Sequence, residues 1–197
     1  MTKGFGDSNI NKKNKKDSRY LIFYQKESQA KNFMEKGNFE EAKKGYLQLL
    51  DDKYQNHEIF FNLGAIELQS NNLLEAISYY EKAKILELKN HEQIDILLIQ
   101  CYGKLKNYSM ARKIFQESLE KYPRSEKLIF TYAEIAKEKD NFQELISLYE
   151  KALAINPNNF RALSNLGGMY EKLKEFPNAI ETYKKAIGIA PDVSHLK

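Results

Sequence analysis

FRALSNLGGMYEKLKEFPNAIETYKKAIGIAP, residues 160–191, reads as two short amphipathic helices joined by a tight turn. Leu163, Leu166, Gly167 and Tyr170 fall on one face of the first helix, and Phe176, Ala179, Tyr183 and Ala186 on one face of the second. Upstream the same pattern recurs about every 34 residues, the sign of a solenoid rather than of one thick core. The second-helix alanine returns as Ala42, Ala76, Ala111 and Ala179, with Leu145 in its place once. A large aromatic returns as Tyr46, Tyr80, Phe115, Tyr149 and Tyr183, and a turn-side apolar residue as Phe39, Leu73, Tyr108, Phe142 and Phe176.

The residue types follow from packing. Where two helices cross closely only Gly or Ala fits, and Gly64, Ala133 and Gly167 occupy that place on first helices. The aromatic ring is then expected to fill the wider gap to the next repeat. Ile99 replaces the small residue in the third repeat, which predicts a wider crossing there. Pro123, Pro157 and Pro191 end second helices, because proline lacks a donor and clashes with the preceding turn. Pro177 sits in a first turn, where its missing N–H costs nothing.

Five repeats are read at about 23–56, 57–90, 92–125, 126–159 and 160–193, within an array over 18–193 followed by a short tail, 194–197. Residues 1–17 are polar and basic without periodicity, and are expected to be disordered, with Asp17 or Ser18 capping a helix from Arg19. The KKNKK run at Lys12 to Lys16 is either a solvated tail or a weak anionic docking site. The apolar run Tyr20 to Tyr24 is either the front of the first helix packed on its neighbours or a contact surface.

The formal charge is +4, and most of the excess lies in the first 17 residues. The nearly neutral remainder gives no electrostatic footprint for nucleic acid. A single cysteine, Cys101, excludes an intrachain disulfide and suits a reducing compartment. No run of 18 or more apolar residues exists, so no membrane span is expected, and no secretory signal is read at the N-terminus. The expectation is a cytoplasmic protein. His57, His91 and His195 are far apart and have no ligand-spaced partners, so no metal, cofactor or catalytic residue is expected. Cys101 occupies a position held elsewhere by Ile66, Ile135 and Met169, and reads as a small buried hydrophobe.

Leu166-Gly167, Tyr170, Ala179, Tyr183, Ala186 and Pro191, with their upstream counterparts, resemble the tetratricopeptide repeat. That resemblance covers about 23–193. It implies an all-α, right-handed superhelical solenoid of antiparallel helix pairs whose first helices line a concave groove. It also implies a non-catalytic scaffold that binds a peptide or partner protein there. Tyr54 and Leu88 depart from the pattern, standing where proline is usual. The family's carboxylate clamp is not matched, because Glu27 and Lys31 occupy the corresponding positions.

The groove faces then follow by register. In the second repeat they carry Phe61, Asn62, Ala65 and Gln69, and in the third Ile96, Gln100 and Lys104. In the fourth they carry Phe130, Thr131 and Glu134, and in the fifth Arg161 and Asn165. Phe61, Ile96 and Phe130 are equivalent positions, which stacking turns into either an exposed apolar strip or packing between first helices. Asn62 and Asn165 resemble the asparagines with which this family bonds a peptide backbone. An alternative function is the substrate-presenting repeat region of a larger transferase-type enzyme. It is prompted by the last helix, 177–189, whose apolar face has no successor. That end is expected to continue, to self-associate or to dock elsewhere.

Overall fold

Each helix pair turns on one residue held at positive φ: Gly37 (76°), Asn71 (61°), Lys106 (57°), Asp140 (51°) and Lys174 (62°). At four of these turns the next amide reaches back to the last helical turn. Asn38, Asn72, Asn107 and Glu175 donate to the carbonyls of Phe33, Glu67, Tyr102 and Tyr170 at 2.8–2.9 Å. This left-handed cap satisfies carbonyls that the ending helix leaves open. The following residue, always large and apolar, begins the second helix of the pair.

The structure is a computed structural model and describes residues 7–87 and 91–189, with side chains from residue 19 onward. The first six residues, Leu88, Pro191, His195 and the 194–197 tail lie outside the described residues. The described residues form ten α-helices: α1 (Asp7–Glu35), α2 (Phe39–Asp51), α3 (His57–Gln69), α4 (Leu73–Leu86), α5 (Glu92–Lys104), α6 (Tyr108–Lys121), α7 (Glu126–Ala136), α8 (Phe142–Ile155), α9 (Phe160–Lys172) and α10 (Phe176–Ile189). A short 3-10 turn, Lys137–Lys139, follows α7. Asn56, Ser125 and Asn159 cap α3, α7 and α9 by accepting from Ile59, Leu128 and Ala162 amides at 2.9–3.1 Å.

One boundary differs from the sequence expectation. The helix starts at Asp7 rather than at Arg19, so Asp17 and Ser18 lie inside α1 instead of capping it. No Gly or Pro interrupts 7–36. Once the packed half of α1 is formed, adding residues costs propagation only, without the nucleation penalty.

The chain divides into two compact units, Met1–Lys89 and Asn90–Lys197. In the first, α1 packs on α2, α2 on α3 and α3 on α4. Tyr46, Leu49, Ile59, Leu63 and Ile66 form its buried centre with Ala30 and Ala42. Lys26 Nζ lies 2.7 Å from Asp52 Oδ2, and Tyr54 Oη and Asn56 Nδ2 both donate to Glu27, tying the end of α2 and the start of α3 back to α1. In the second unit α5 packs on α6 and on α7, α6 on α7, α7 on α8, α8 on α9 and α9 on α10. Leu128, Ile129, Ala133, Leu145, Tyr149 and Ala152 are buried at its centre.

The close crossings are where small residues were read, but the aromatic rings point differently from expectation. A Cβ on Gly64 would lie 2.7 Å from Tyr80 Cε1, and one on Gly167 2.6 Å from Tyr183 Cε1. These rings lie over the glycine of their own pair and so fill the notch it leaves. Phe115 does reach the next repeat, stacking on Tyr132 at 4.4 Å and 9°. Buried Ile99 is joined one turn later by Gly103, against which Ile135 Cδ1 would lie 2.6 Å from a Cβ. The contact between α5 and α7 therefore has its own small residue at 103.

Candidate functional site

The second unit holds a recess of about 580 Å³ lined by α5, by α7 and the turn after it, and by the first turn of α9. Gln100, Gly103 and Lys104 come from α5. Lys127, Phe130, Thr131, Glu134, Ile135 and Glu138 come from α7 and its 3-10 turn, and Arg161 from α9. All three helices are first helices of their pairs, and their i, i+3, i+4 spacing turns these residues to one side. Gln100, Lys104, Phe130, Thr131, Glu134 and Arg161 were read from the sequence as groove residues, and the fold brings these six together.

The floor is apolar. Phe130 is 8% exposed, tilted against Tyr149 at 6.3 Å, with the Arg161 guanidinium 4.4 Å above its ring. Ile135 is half-buried beside it. The rim is charged. Arg161 also approaches Glu134 at 3.0 Å, and Lys137 reaches the same carboxylate at 3.1 Å. Burial alone would raise the Glu134 carboxyl, but Lys137 and then Arg161 hold it below its ordinary range. Glu138 accepts from Tyr108 Oη at 2.7 Å, a bond that raises the phenol. Lys127 donates to the neutral Gln93 Oε1 at 2.6 Å. Lys104 is exposed and has no ion-pair partner among the described residues.

The other residues read as groove-facing stand apart from this recess. Phe61, Asn62, Ala65 and Gln69 lie on α3 in the first unit. Phe61 is half-buried with its ring 5.9 Å from Tyr80. Asn62 Nδ2 donates to Tyr46 Oη at 3.0 Å, which commits one of its two N–H groups inside the protein. Asn165 is half-buried on α9. Of the two alternatives read for its position, exposed strip or packing, Ile96 takes packing: at 2% exposure it offers no surface to a partner, which removes it from the groove residues. It lies among the buried apolar residues of α5, with Ile94, Leu98 and Ile99.

A second recess, of about 710 Å³, lies between the second helices α6 and α8. Arg112 bridges it to Glu144 at 3.3 Å, and Glu144 also accepts from Tyr132 Oη, so the charges at that end are matched. Buried Cys101 has its thiol pushed up to about 11 by desolvation, which makes it a packing residue rather than a nucleophile. Among the described residues no group of three His, Cys, Asp or Glu side chains could hold a metal ion, and no helix is long and apolar enough to cross a membrane.

Four family models, each described as the tetratricopeptide repeat, match residues 28–92, 97–125, 127–159 and 160–193 and together cover most of the chain. Protein O-mannosyl-transferase TMTC1 of Homo sapiens is 27% identical over 105 residues, 51% of this chain but 12% of that protein's length. A crystal structure of MamA matches with a TM-score of 0.72 at 19% identity, covering 84% of this chain and 96% of that one. YrrB, described as a TPR protein with an unusual peptide-binding site, matches with a TM-score of 0.65 at 21% identity, covering 85% of this chain and 84% of that one. At such identities the likeness is one of fold. With its helix pairs, its recurring turn residues and a family match over most of its length, the chain belongs to the tetratricopeptide repeat family.

Proposed function

We propose that this protein is a non-catalytic interaction scaffold that takes up an extended segment of a partner protein on the first-helix face of its repeats. The observation that carries the reading is the recess of the second unit. It combines an apolar floor at Phe130 and Ile135 with polar and charged side chains from three successive first helices. A peptide needs both: an apolar pocket for anchoring and convergent polar groups for register. The peptide-binding site ascribed to YrrB lends this support by fold analogy alone.

Peptide display selected on the full chain tests it. Enriched peptides should bind the intact protein and lose at least about tenfold in affinity to Thr131→Arg, which fills the recess from a half-buried position. Unchanged circular dichroism would show that the fold persists. Peptides that bind the variant equally well, or no enrichment over a non-repeat control, would contradict the reading.

A second reading is the repeat region of a larger transferase. It is favoured by one observation, the TMTC1 match, which covers 51% of this chain. Sequencing the transcript beyond both ends decides it: a reading frame entering a catalytic domain supports it, and stop codons on both sides exclude it.

A further inference from the structure

We propose that the segment taken up by the second unit is acidic, carrying a carboxylate side chain within a residue or two of a large apolar one. This rests on the peptide-binding reading above. The reason is an imbalance of pairing within the recess. Its two carboxylates differ: Glu134 is paired with Lys137 and Arg161, whereas Glu138 accepts from the neutral Tyr108 hydroxyl and keeps its charge, one carboxylate on a rim that also carries two lysines. Arg161 is engaged as well, between Glu134 and the face of Phe130. Two ammonium groups on the same rim have no carboxylate: Lys127 reaches only the neutral Gln93, and Lys104 reaches none among the described residues. They line the same recess as Phe130 and Ile135.

A ligand that complements both features brings its own carboxylates to Lys104 and Lys127 and sets an apolar side chain on the floor. A basic segment meets two lysines that have no carboxylate partner, and is disfavoured by like charge. A nucleic acid offers anionic charge too. However, its phosphates would also approach Glu134, whose carboxyl is held ionised by its partners, and the chain outside its first 17 residues is nearly neutral. A protein segment, whose charges can be placed singly, fits the mixed rim.

The test uses the full chain and three fluorescein-labelled peptides, each with a Phe-x-Leu core between Gly-Ser flanks. The positions beside the core are Asp in one peptide, Asn in the second and Lys in the third. By fluorescence anisotropy at 50 mM salt, the Asp peptide should bind about 5- to 10-fold tighter than the Asn peptide, an advantage that shrinks at 500 mM salt. The exposed pair Lys104→Glu and Lys127→Glu, which leaves the floor intact, should reverse the order in favour of the Lys peptide. Equal binding of the Asp and Asn peptides to the intact protein would overturn the acidic preference while leaving peptide binding in place. Failure of all three peptides, with display peptides also failing, would remove both readings. An oligonucleotide that displaces the Asp peptide from the intact protein, but no longer binds the Lys104→Glu, Lys127→Glu form, would assign the lysines to a polyanion and overturn the proposal.

Discussion

Lys43 Nζ on α2 lies 2.7 Å from Oε1 of Glu67 on α3, and the Glu67 side chain is only 3% exposed. The second oxygen of Glu67 accepts from Asn72 Nδ2 at 2.8 Å. The first two repeats are thus joined by a carboxylate set among three elements. Burial on its own would raise the Glu67 carboxyl, but the Lys43 and Asn72 hydrogen bonds outweigh it and hold it below 4.5. The same hydrogen bond raises Lys43 above 10.5.

Removing the lysine leaves a buried carboxylate with one partner. Lys43→Met should destabilise by about 1–3 kcal/mol, less than for a fully buried pair because Lys43 is partly exposed, and Lys43→Met with Glu67→Leu should recover most of the loss. The pH dependence follows from the signs. Glu67's contribution is present above pH 4.5 and fades as the pH falls through its lower folded value. Lys43's is present below 10.5 and fades as the pH rises through its higher folded value. Melting temperatures across pH should therefore fall less steeply toward acid in Glu67→Gln than in the wild type, and parallel curves would contradict the pairing.

Gly64 and Gly167 meet equivalent tyrosines in different surroundings. Tyr80 is wholly buried, whereas Tyr183 is half-exposed and can swing outward. Gly64→Ala should cost about 1–3 kcal/mol net of the alanine's better helix propensity, and Gly167→Ala well under about 1 kcal/mol. Urea unfolding measures both, and equal losses would show that Tyr80 has room to move.

Asn62→Ala should lower stability by about 1 kcal/mol, because it strips the Tyr46 hydroxyl of its donor in a partly buried place. Its effect on captured peptides should be small. A variant of native stability that no longer binds peptide would return Asn62 to the role its register first implied.

Cys101 should resist alkylation in the folded protein. With the thiol near 11 and no exposed surface, labelling by iodoacetamide at pH 8 should be at least about a hundredfold slower than in denaturant. Rapid native labelling would mean that α5 opens readily.

The repeats were legible because one side-chain set recurs at a fixed spacing. The second helices start at the turn-side apolar residues Phe39, Leu73, Tyr108, Phe142 and Phe176, which the sequence marks directly. An Asn stands before four of them. It follows the positive-φ residue in Gly37-Asn38, Asn71-Asn72, Lys106-Asn107 and Asp140-Asn141. Two of these, Asn107 and Asn141, accept the amides of Met110 and Glu144. Gly103 was passed over because it lies one turn beyond the register of Gly64 and Gly167, and only the fold shows Ile135 filling that side.

The site was legible by face but not by state. Register alone placed Lys104, Phe130, Glu134 and Arg161 on one side. It could not tell that Ile96 is buried in packing, that Asn62 donates to Tyr46, or that Glu134 is held by two cations. Those are pairings between residues up to 27 positions apart, set by how helices stack rather than by any one helix.

Site-specific photo-crosslinking gives the most direct test of where a partner docks. With p-benzoylphenylalanine placed at Thr131 in the recess of α5, α7 and α9, or at Gln116 in the larger recess between α6 and α8, a display-selected peptide should crosslink from 131 and not from 116. Crosslinking from 116 alone would place recognition on the second helices and contradict a first-helix docking face.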